Sequence, residues 1–426
     1  MKIRNKTVRL VALLLALVTT LGLLTSCLFG DPSADSEYMT EQEIKDLVSG
    51  MIHGDTTIEN VNEYNVSINA GAEGNLVAAA KGVLSVVSIT CGFTVVEYDI
   101  FGREYTQQAS SAGAGVIYKL DKTSGDAYII TNYHVVYNAS SPNGGISQKI
   151  VVRLYGMEDT KYDIPATFIG GSMMQDLAVL KVSGSRVLLE SNAMAVSVAD
   201  SDEVSILDTA IAIGNPAAAG ISATVGCINV DSEYVNITAA DDKTSVLLQL
   251  FRIDTAVNGG NSGGGLFNSK GELIGIVNAK IVSTNIDNIA YAIPSNVAIS
   301  VVDNIIYHCD GKDAKNPYKY SMGIEMSIDG QYTEYDMETG KVHKREVISV
   351  GSITAGSIAS ELFVVGDVIK TITVNGKATT INRMFQVYNL MYTVRSGDTV
   401  TVTMTRAGQD VELVVPVERM TLNKVQ

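Results

Sequence analysis

The sequence predicts a mostly β protein: two six-stranded antiparallel barrels followed by a small α+β domain. Three observations predict it. Short runs rich in Val and Ile recur from about residue 76, separated by clusters of Gly, Asn, Asp and Ser. A polar break near Ser183–Ser191 divides them into two sets of six. No strand–helix–strand alternation occurs, which argues against a parallel sheet.

The first set is Val83–Thr90, Gly115–Leu120, Ala127–Thr131, Lys149–Leu154, Ile164–Ile169 and Leu177–Val182. The second is Met194–Val198, Thr209–Ile213, Ser222–Val230, Val246–Ile253, Leu266–Asn268 with Leu273–Val277, and Ile289–Ile293. The barrels span about 76–183 and 192–294. Pro294-Ser295 then opens a helix, with Ser295 as its cap and Val297, Val301, Val302, Ile305 and Ile306 on one face. That helix ends by Asp310-Gly311 and closes a domain over 76–310. Polar residues 311–319 read as a linker. Residues 320–421 form the last unit, with strands near Met322–Ile328, Val347–Val350 and Thr371–Val374. Asn375-Gly376 is a tight-turn signal, Asn382–Met391 a helix, and Val400–Thr405 with Val411–Val417 a hairpin. The polar stretch Asp329–Glu346 reads as an inserted hairpin.

The amino terminus carries Lys2, Arg4, Lys6 and Arg9, then an apolar run Leu10–Leu24 and Thr25-Ser26-Cys27. Fifteen residues are too few for a membrane span, which needs about 20, and fit a secretory signal over 1–26. Leu24-Thr25-Ser26-Cys27 resembles a bacterial lipobox, which makes Cys27 the expected lipidation site. The expected place is therefore extracytoplasmic, held by lipid at the outer face of a bacterial cell membrane. Residues 27–75 are then a tether with a short amphipathic helix begun by the capping box Thr40-Glu41-Gln42-Glu43.

Composition narrows the function. Hydrophobic residues make up 46% and charged ones 18%, which is a globular balance. The formal charge is −15, and the part after residue 26 carries −19 once the four early cations are gone. Such a surface repels phosphate backbones, so no nucleic acid partner is expected. Cys91, Cys227 and Cys309 match no metal or disulfide pattern, and Cys91 and Cys227 read as buried thiols in strands. No cofactor and no metal are implied.

The chemistry centres on Asn258-Gly259-Gly260-Asn261-Ser262-Gly263-Gly264-Gly265. Alone, it reads either as a flexible loop or as a serine held among glycines that let other backbone approach. A nucleophilic serine needs a base, and the base needs an orienting acid. His53, His308 and His343 read as solvated or helix-end residues. His134 instead follows a strand, where the chain turns, in Thr131-Asn132-Tyr133-His134-Val135-Val136. Asp176 stands directly before Leu177–Val182; Asp159 and Asp163, in a polar loop, are weaker candidates for the acid. The order His134, Asp176, Ser262 puts base and acid in the first barrel and the nucleophile in the second.

Together with Ala212-Ile213-Gly214-Asn215-Pro216, these motifs resemble those of the HtrA (Deg) serine proteases, over residues 76–420. The resemblance implies a chymotrypsin-like double barrel and a carboxy-terminal PDZ domain. It implies a serine endopeptidase of extracytoplasmic quality control, acting on unfolded or damaged polypeptides. His134, Asp176 and Ser262 would be catalytic, with the N–H groups of Gly260 and Ser262 as the oxyanion hole. Ala256, six residues before the nucleophile, replaces the acid of trypsin-like pockets and implies small or medium aliphatic preference. Ser321-Met322-Gly323-Ile324 matches the PDZ loop that holds peptide C-termini, so Met322, Gly323 and Ile324 are the expected peptide-binding residues. A homotrimer is implied as well. The other reading is a catalytically silent peptide-binding scaffold or chaperone. Asn261 removes the charge switch of zymogens, and Gly259 and Gly265 stand where the family has Pro; both changes predict a loose loop around Ser262.

Overall fold

The computed structural model describes residues 72–280 and 289–425. Cys27, the helix at Thr40, His53 and the segment 281–288 lie outside the described residues.

The first element corrects the sequence reading. Residues Val83–Ser85 were expected in a strand, but α1 is a helix over Ala72–Ser85. The run Ala78-Ala79-Ala80 has the highest helix propensity available, and it outweighs the apolar Val83 and Leu84. Gly82 lets α1 approach the second barrel; a Cβ there would lie 2.5 Å from Ile213 Cδ1.

Six strands follow: β1 (Val86–Tyr98), β2 (Glu104–Asp121), β3 (Asp126–Thr131), β4 (Lys149–Leu154), β5 (Ile164–Ser172) and β6 (Leu177–Val182). They close into a barrel in the order β1-β2-β3-β6-β5-β4. β6 shows why its sequence does not alternate apolar with polar. Ala178, Leu180 and Val182 point into the barrel, while Leu177 and Val179 join the core shared between the barrels. Both faces are buried, so period 2 survives in direction but not in polarity.

The second barrel uses β7 (Thr209–Gly214), β8 (Ser222–Thr238), β9 (Ser245–Ile253), β10 (Gly265–Phe267), β11 (Leu273–Asn278) and β12 (Ala290–Pro294). These also close, in the order β10-β11-β12-β9-β8-β7. Met194–Val198 was expected as a strand and is not one. Only Val198 forms a bridge, to Leu273, while Val196 donates its N–H to Ile117 O at 2.8 Å. Val196 packs partly buried on the core shared by the barrels, while Ser197 and Val198 are exposed. The sixth strand comes instead from the pair β10 and β11, split by the turn at Lys270-Gly271.

The helix α3 runs Ser295–Cys309, after the single-turn α2 (Tyr133–Val136) in the first barrel. Its predicted face is inside: Val297, Val301, Val302 and Ile305 are buried. Ser295 is not its cap. Its hydroxyl donates to Ala199 O at 2.8 Å, and the Asn296 N–H is received by the Ser201 hydroxyl at 3.0 Å. A distant serine thus satisfies the first turn.

The carboxy-terminal domain contains β13 (Tyr318–Ser321), β14 (Ile324–Tyr335), β15 (Val342–Ile353), β16 (Val368–Val374), β17 (Lys377–Thr380), β18 (Thr399–Arg406), β19 (Gln409–Pro416) and β20 (Thr421–Lys424). The main sheet is ordered β14-β15-β16-β18-β19, β17 pairs with β16, and β13 pairs with β20. The longer of its helices is α4 (Met384–Thr393); a single turn over Ala359–Leu362 is the other. The inserted stretch Asp329–Glu346 is the outer half of the β14–β15 hairpin, paired out to Tyr335 opposite Val342.

Two residue expectations fail here. His343 is buried, not solvated, because the hairpin leans on the second barrel: Ser205 donates to Val342 O at 2.9 Å and Lys341 pairs with Asp208 at 2.7 Å. Cys227 is only half-buried. Burial and then the nearby Asp254 carboxylate, 3.4 Å from the sulfur, push its thiol upward and keep it protonated.

Gln386 of α4 donates to Asp202 of the second barrel at 2.7 Å. Burial, above other influences, raises the Asp202 carboxyl from its usual range. The folded state therefore holds that proton more tightly than the unfolded chain does. Stability falls as pH rises from the unfolded value through the folded one, and the cost is full above the folded value. Asp202→Asn keeps an oxygen acceptor and removes the charge. Its unfolding temperature at pH 7 should rise, by about 2–4 °C for each ~1 kcal/mol recovered. The gain should shrink to nothing in scans below about pH 4; an unchanged unfolding temperature at pH 7 would refute the assignment.

Candidate active site

His134 sits on α2, one turn beyond β3. Asn132 begins that turn, and its side-chain amide donates to Asp176 O at 2.9 Å. This bond ties the histidine turn to the connection between β5 and β6. Asp176 ends that connection with φ +49°. Asp adopts this conformation more readily than most residues, because its short polar side chain bonds locally, and the surroundings hold it. They do so through its carboxylate. Oδ1 accepts the His134 backbone N–H at 3.0 Å, and Oδ2 lies 2.7 Å from His134 Nδ1. Asn278, fully buried at the end of β11, donates its amide to the same Oδ2 at 2.8 Å.

The other imidazole nitrogen, Nε2, is 2.8 Å from Ser262 Oγ. A carboxylate only accepts hydrogen bonds, so Nδ1 must carry the ring proton. Nε2 is then left as an acceptor facing the serine hydroxyl. Ser262 lies between β9 and β10, and Ala279 N–H also points to its Oγ at 3.3 Å. The three side chains predicted from sequence are thus brought together across the seam of the two barrels, with base and acid from one and the hydroxyl from the other.

The glycines around Ser262 have specific tasks. Gly260 has φ +100°, and a Cβ there would be 2.1 Å from Asn215 O. Gly263 has φ +82°, and a Cβ there would be 2.3 Å from Ala114 O. Ala114 N–H in turn donates to Ser262 O at 2.8 Å, joining β2 to the serine loop. The Gly259 carbonyl accepts Ala217 N–H at 2.8 Å. Because the peptide is trans, this aims the Gly260 N–H to the opposite side. Among the described residues, neither that N–H nor the Ser262 N–H has an acceptor.

The expectation of a loose loop is corrected on one side. Gly265 opens β10, paired with Ile213 and Ile276, and a Cβ there would meet the Phe267 ring at 2.4 Å. This glycine serves packing. Gly259 has open space around it.

Other predicted residues lie apart from this centre. Ala256 is exposed, and its carbonyl accepts from the Thr224 hydroxyl at 2.9 Å. Met322 is buried between β13 and β14. Gly323 has φ +88°, donates its N–H to Ser321 Oγ at 3.2 Å and accepts Thr354 N–H at 2.8 Å. Ile324 starts β14. The weaker acid candidates are used elsewhere: Asp159 caps a short turn by accepting Lys161 N–H, and Asp163 pairs with Arg153.

Sequence reasoning missed Asn278. The available signal was a lone amide closing the apolar run Leu273–Val277. Asn278→Ala removes a hydrogen bond to a buried carboxylate, an interaction class worth roughly 1.5–3 kcal/mol. Peptidase kcat/KM should drop roughly 10- to 100-fold. Unchanged kinetics in the folded variant would exclude a positioning role.

Two closed barrels sharing a Ser–His–Asp constellation define a trypsin-like serine endopeptidase, a hydrolase. The family model described as a trypsin-like peptidase domain matches residues 113–276. A serine protease Do-like HtrA from Lactococcus lactis subsp. cremoris is 30% identical over 384 residues, covering 86% of this chain and 87% of that protein. The protein of the same description from Lactococcus lactis subsp. lactis is 32% identical over 312 residues, 71% of this chain and 69% of that one. A solved HtrA-type protease AlgW with a decapeptide aligns at 24% identity over 82% of this chain and 97% of that chain, with a TM-score of 0.48. The chain belongs to the HtrA family of serine proteases.

Proposed function

We propose that this protein is a lipid-anchored endopeptidase of extracytoplasmic quality control that hydrolyses unfolded or damaged polypeptides at Ser262. The observation that carries the reading is the continuous link from Asp176 through His134 to Ser262, at 2.7 and 2.8 Å. Ser262 Oγ attacks the scissile carbonyl, and His134 Nε2 takes the hydroxyl proton. The same nitrogen returns it to the leaving amine as the acyl–enzyme forms. Water, deprotonated by His134, then releases the acyl group and restores Ser262. Asp176 fixes the tautomer and stabilises the imidazolium. The N–H groups of Gly260 and Ser262 stabilise the tetrahedral oxyanion; one such donor is worth roughly 10²–10³ in rate.

In this reading, Ala256 contributes to an apolar specificity pocket that favours small or medium aliphatic residues. The carboxy-terminal domain is a PDZ domain, with Met322, Gly323 and Ile324 receiving peptide C-termini by strand addition. Cys27 carries the lipid that holds the chain at the outer face of the membrane, and three copies assemble through the barrels.

The test is labelling with a fluorophosphonate together with digestion of a permanently unfolded casein. Wild type should take up the probe and degrade casein, and Ser262→Ala should do neither. A wild type that takes up no probe, with or without added peptide, overturns the enzymatic reading. Cys27→Ala should move the protein from membrane to soluble fractions; continued sedimentation with membranes overturns the anchor.

A further inference from the structure

The motif Ala212-Ile213-Gly214-Asn215-Pro216 closes β7 and leads into a tight turn over Pro216–Ala218. In that turn Ala217 and Ala218 hold φ +53° and +57°. Alanine disfavours this left-handed region, because its Cβ crowds the following carbonyl. Both residues are exposed, so burial of their methyl groups does not impose the conformation. Strain of this kind persists only where the surrounding structure holds it.

The backbone shows what holds it. Ala217 N–H donates to Gly259 O at 2.8 Å, and Asn215 N–H donates to Gly260 O at 3.3 Å. The turn thus grips the carbonyls on both sides of Gly260 and fixes two consecutive peptide planes. A trans peptide points its N–H away from its carbonyl, so the first grip turns the Gly260 N–H away from the turn. The Asn215 side chain is buried and closes the turn: its Oδ1 accepts Gly220 N–H at 2.9 Å. Its Nδ2 reaches the first barrel, donating to Gly113 O of β2 at 3.4 Å. The next residue of β2, Ala114, donates its N–H to Ser262 O at 2.8 Å. Gly260 is therefore held by the turn, Ser262 by β2, and Asn215 joins the two supports.

We propose that Asn215 and Ala217 are positioning residues of the oxyanion hole: their turn holds the Gly260 N–H convergent with that of Ser262. The proposal rests on the catalytic assignment above and adds two residues that act only through the Gly259–Gly260 peptide. When Ser262 Oγ bonds to the scissile carbon, its proton passes to His134 Nε2 and the carbonyl π pair moves onto oxygen. That oxygen needs both donors in place before the charge forms. A loosened turn lets the Gly259–Gly260 peptide rotate, and one donor is then misdirected. The bound peptide carries no such charge before attack, so the effect falls on kcat and not on KM.

The experiment uses full-length protein and a fluorogenic aliphatic peptide. Asn215→Ala leaves Gly220 N–H and Gly113 O without their partner. Ala217→Val places a β-branched residue where positive φ excludes it, and the site is exposed, so the core is undisturbed. Each should lower kcat roughly 10- to 100-fold, less than the roughly 10²–10³ for full loss of a donor, with KM within about threefold. Ala217→Gly accepts the same backbone shape and should keep kcat within about threefold of wild type. Affinity for a peptidyl trifluoromethyl ketone, which Ser262 converts to a tetrahedral oxyanion, should fall in parallel with kcat across the series. Unchanged kcat in folded Asn215→Ala and Ala217→Val overturns the proposal. So does an equal loss in Ala217→Gly and Ala217→Val, or a fall in kcat that leaves ketone affinity unchanged. A wild type that takes up no fluorophosphonate instead overturns the catalytic assignment, so the two failures are distinguishable.

Discussion

Asp176→Asn should lower kcat by roughly 10⁴ while leaving the protein folded. The reason is the count of donors around that side chain. Its oxygens receive three N–H groups: the His134 backbone, His134 Nδ1 and the Asn278 amide. A carboxylate accepts all of them, but an asparagine has one oxygen and an amide that only donates. If its oxygen takes the place of Oδ2, its amide faces the His134 backbone N–H. If it takes the place of Oδ1, the amide faces Nδ1, and the ring must move its proton to Nε2. In that tautomer, Nε2 cannot accept the Ser262 proton. Steady-state kinetics on an aliphatic peptide, with a parallel thermal melt, checks this. A loss below tenfold in a folded variant would mean that Asp176 does not set the tautomer.

Gly260→Ala should be nearly as damaging, by a different route. The residue holds φ +100°, and its added methyl would be 2.1 Å from Asn215 O, a backbone atom that cannot swing aside. The loop must move, and the Gly260 N–H must move with it. Loss of one oxyanion donor predicts a fall of roughly 10²–10³ in kcat. Strain at the left-handed position adds about 1–2 kcal/mol of destabilisation. Gly259→Ala is the control, since its site is open and has no positive φ. It should retain activity within a few-fold, and equal damage from both variants would show that loop stiffness matters and oxyanion geometry does not.

Much of this site could be read before any coordinates. Strand ends are local events, marked by a switch from Val and Ile to Asn, Asp and Gly, so His134 and Asp176 could be placed where backbone turns. The glycines flanking Ser262 are legible for the same reason: each answers a backbone conformation or close approach at its own position. Errors fell where local preference and long-range packing point different ways. Val83–Ser85 are apolar enough for a strand but continue a helix begun by alanines. Met194–Val198 looks like a strand because it is apolar, but it runs as a half-exposed segment held by backbone bonds to Leu84, Ile117 and Leu273 outside any ladder. His343 lies among Lys and Glu in sequence, and burial comes only when its hairpin meets Ser205 and Asp208.

The sequence by itself determined the two-barrel fold class, the chain order of base, acid and nucleophile, and the positions that glycine must occupy. Each of these follows from residue type and spacing along the chain. Only the tertiary structure decided that Asn278 supports the acid and that Ser201 caps a helix nearly a hundred residues away. Those pairings are created by barrel closure and by the packing of α3 against the second barrel. They join residues whose own neighbours in sequence carry no trace of the partner.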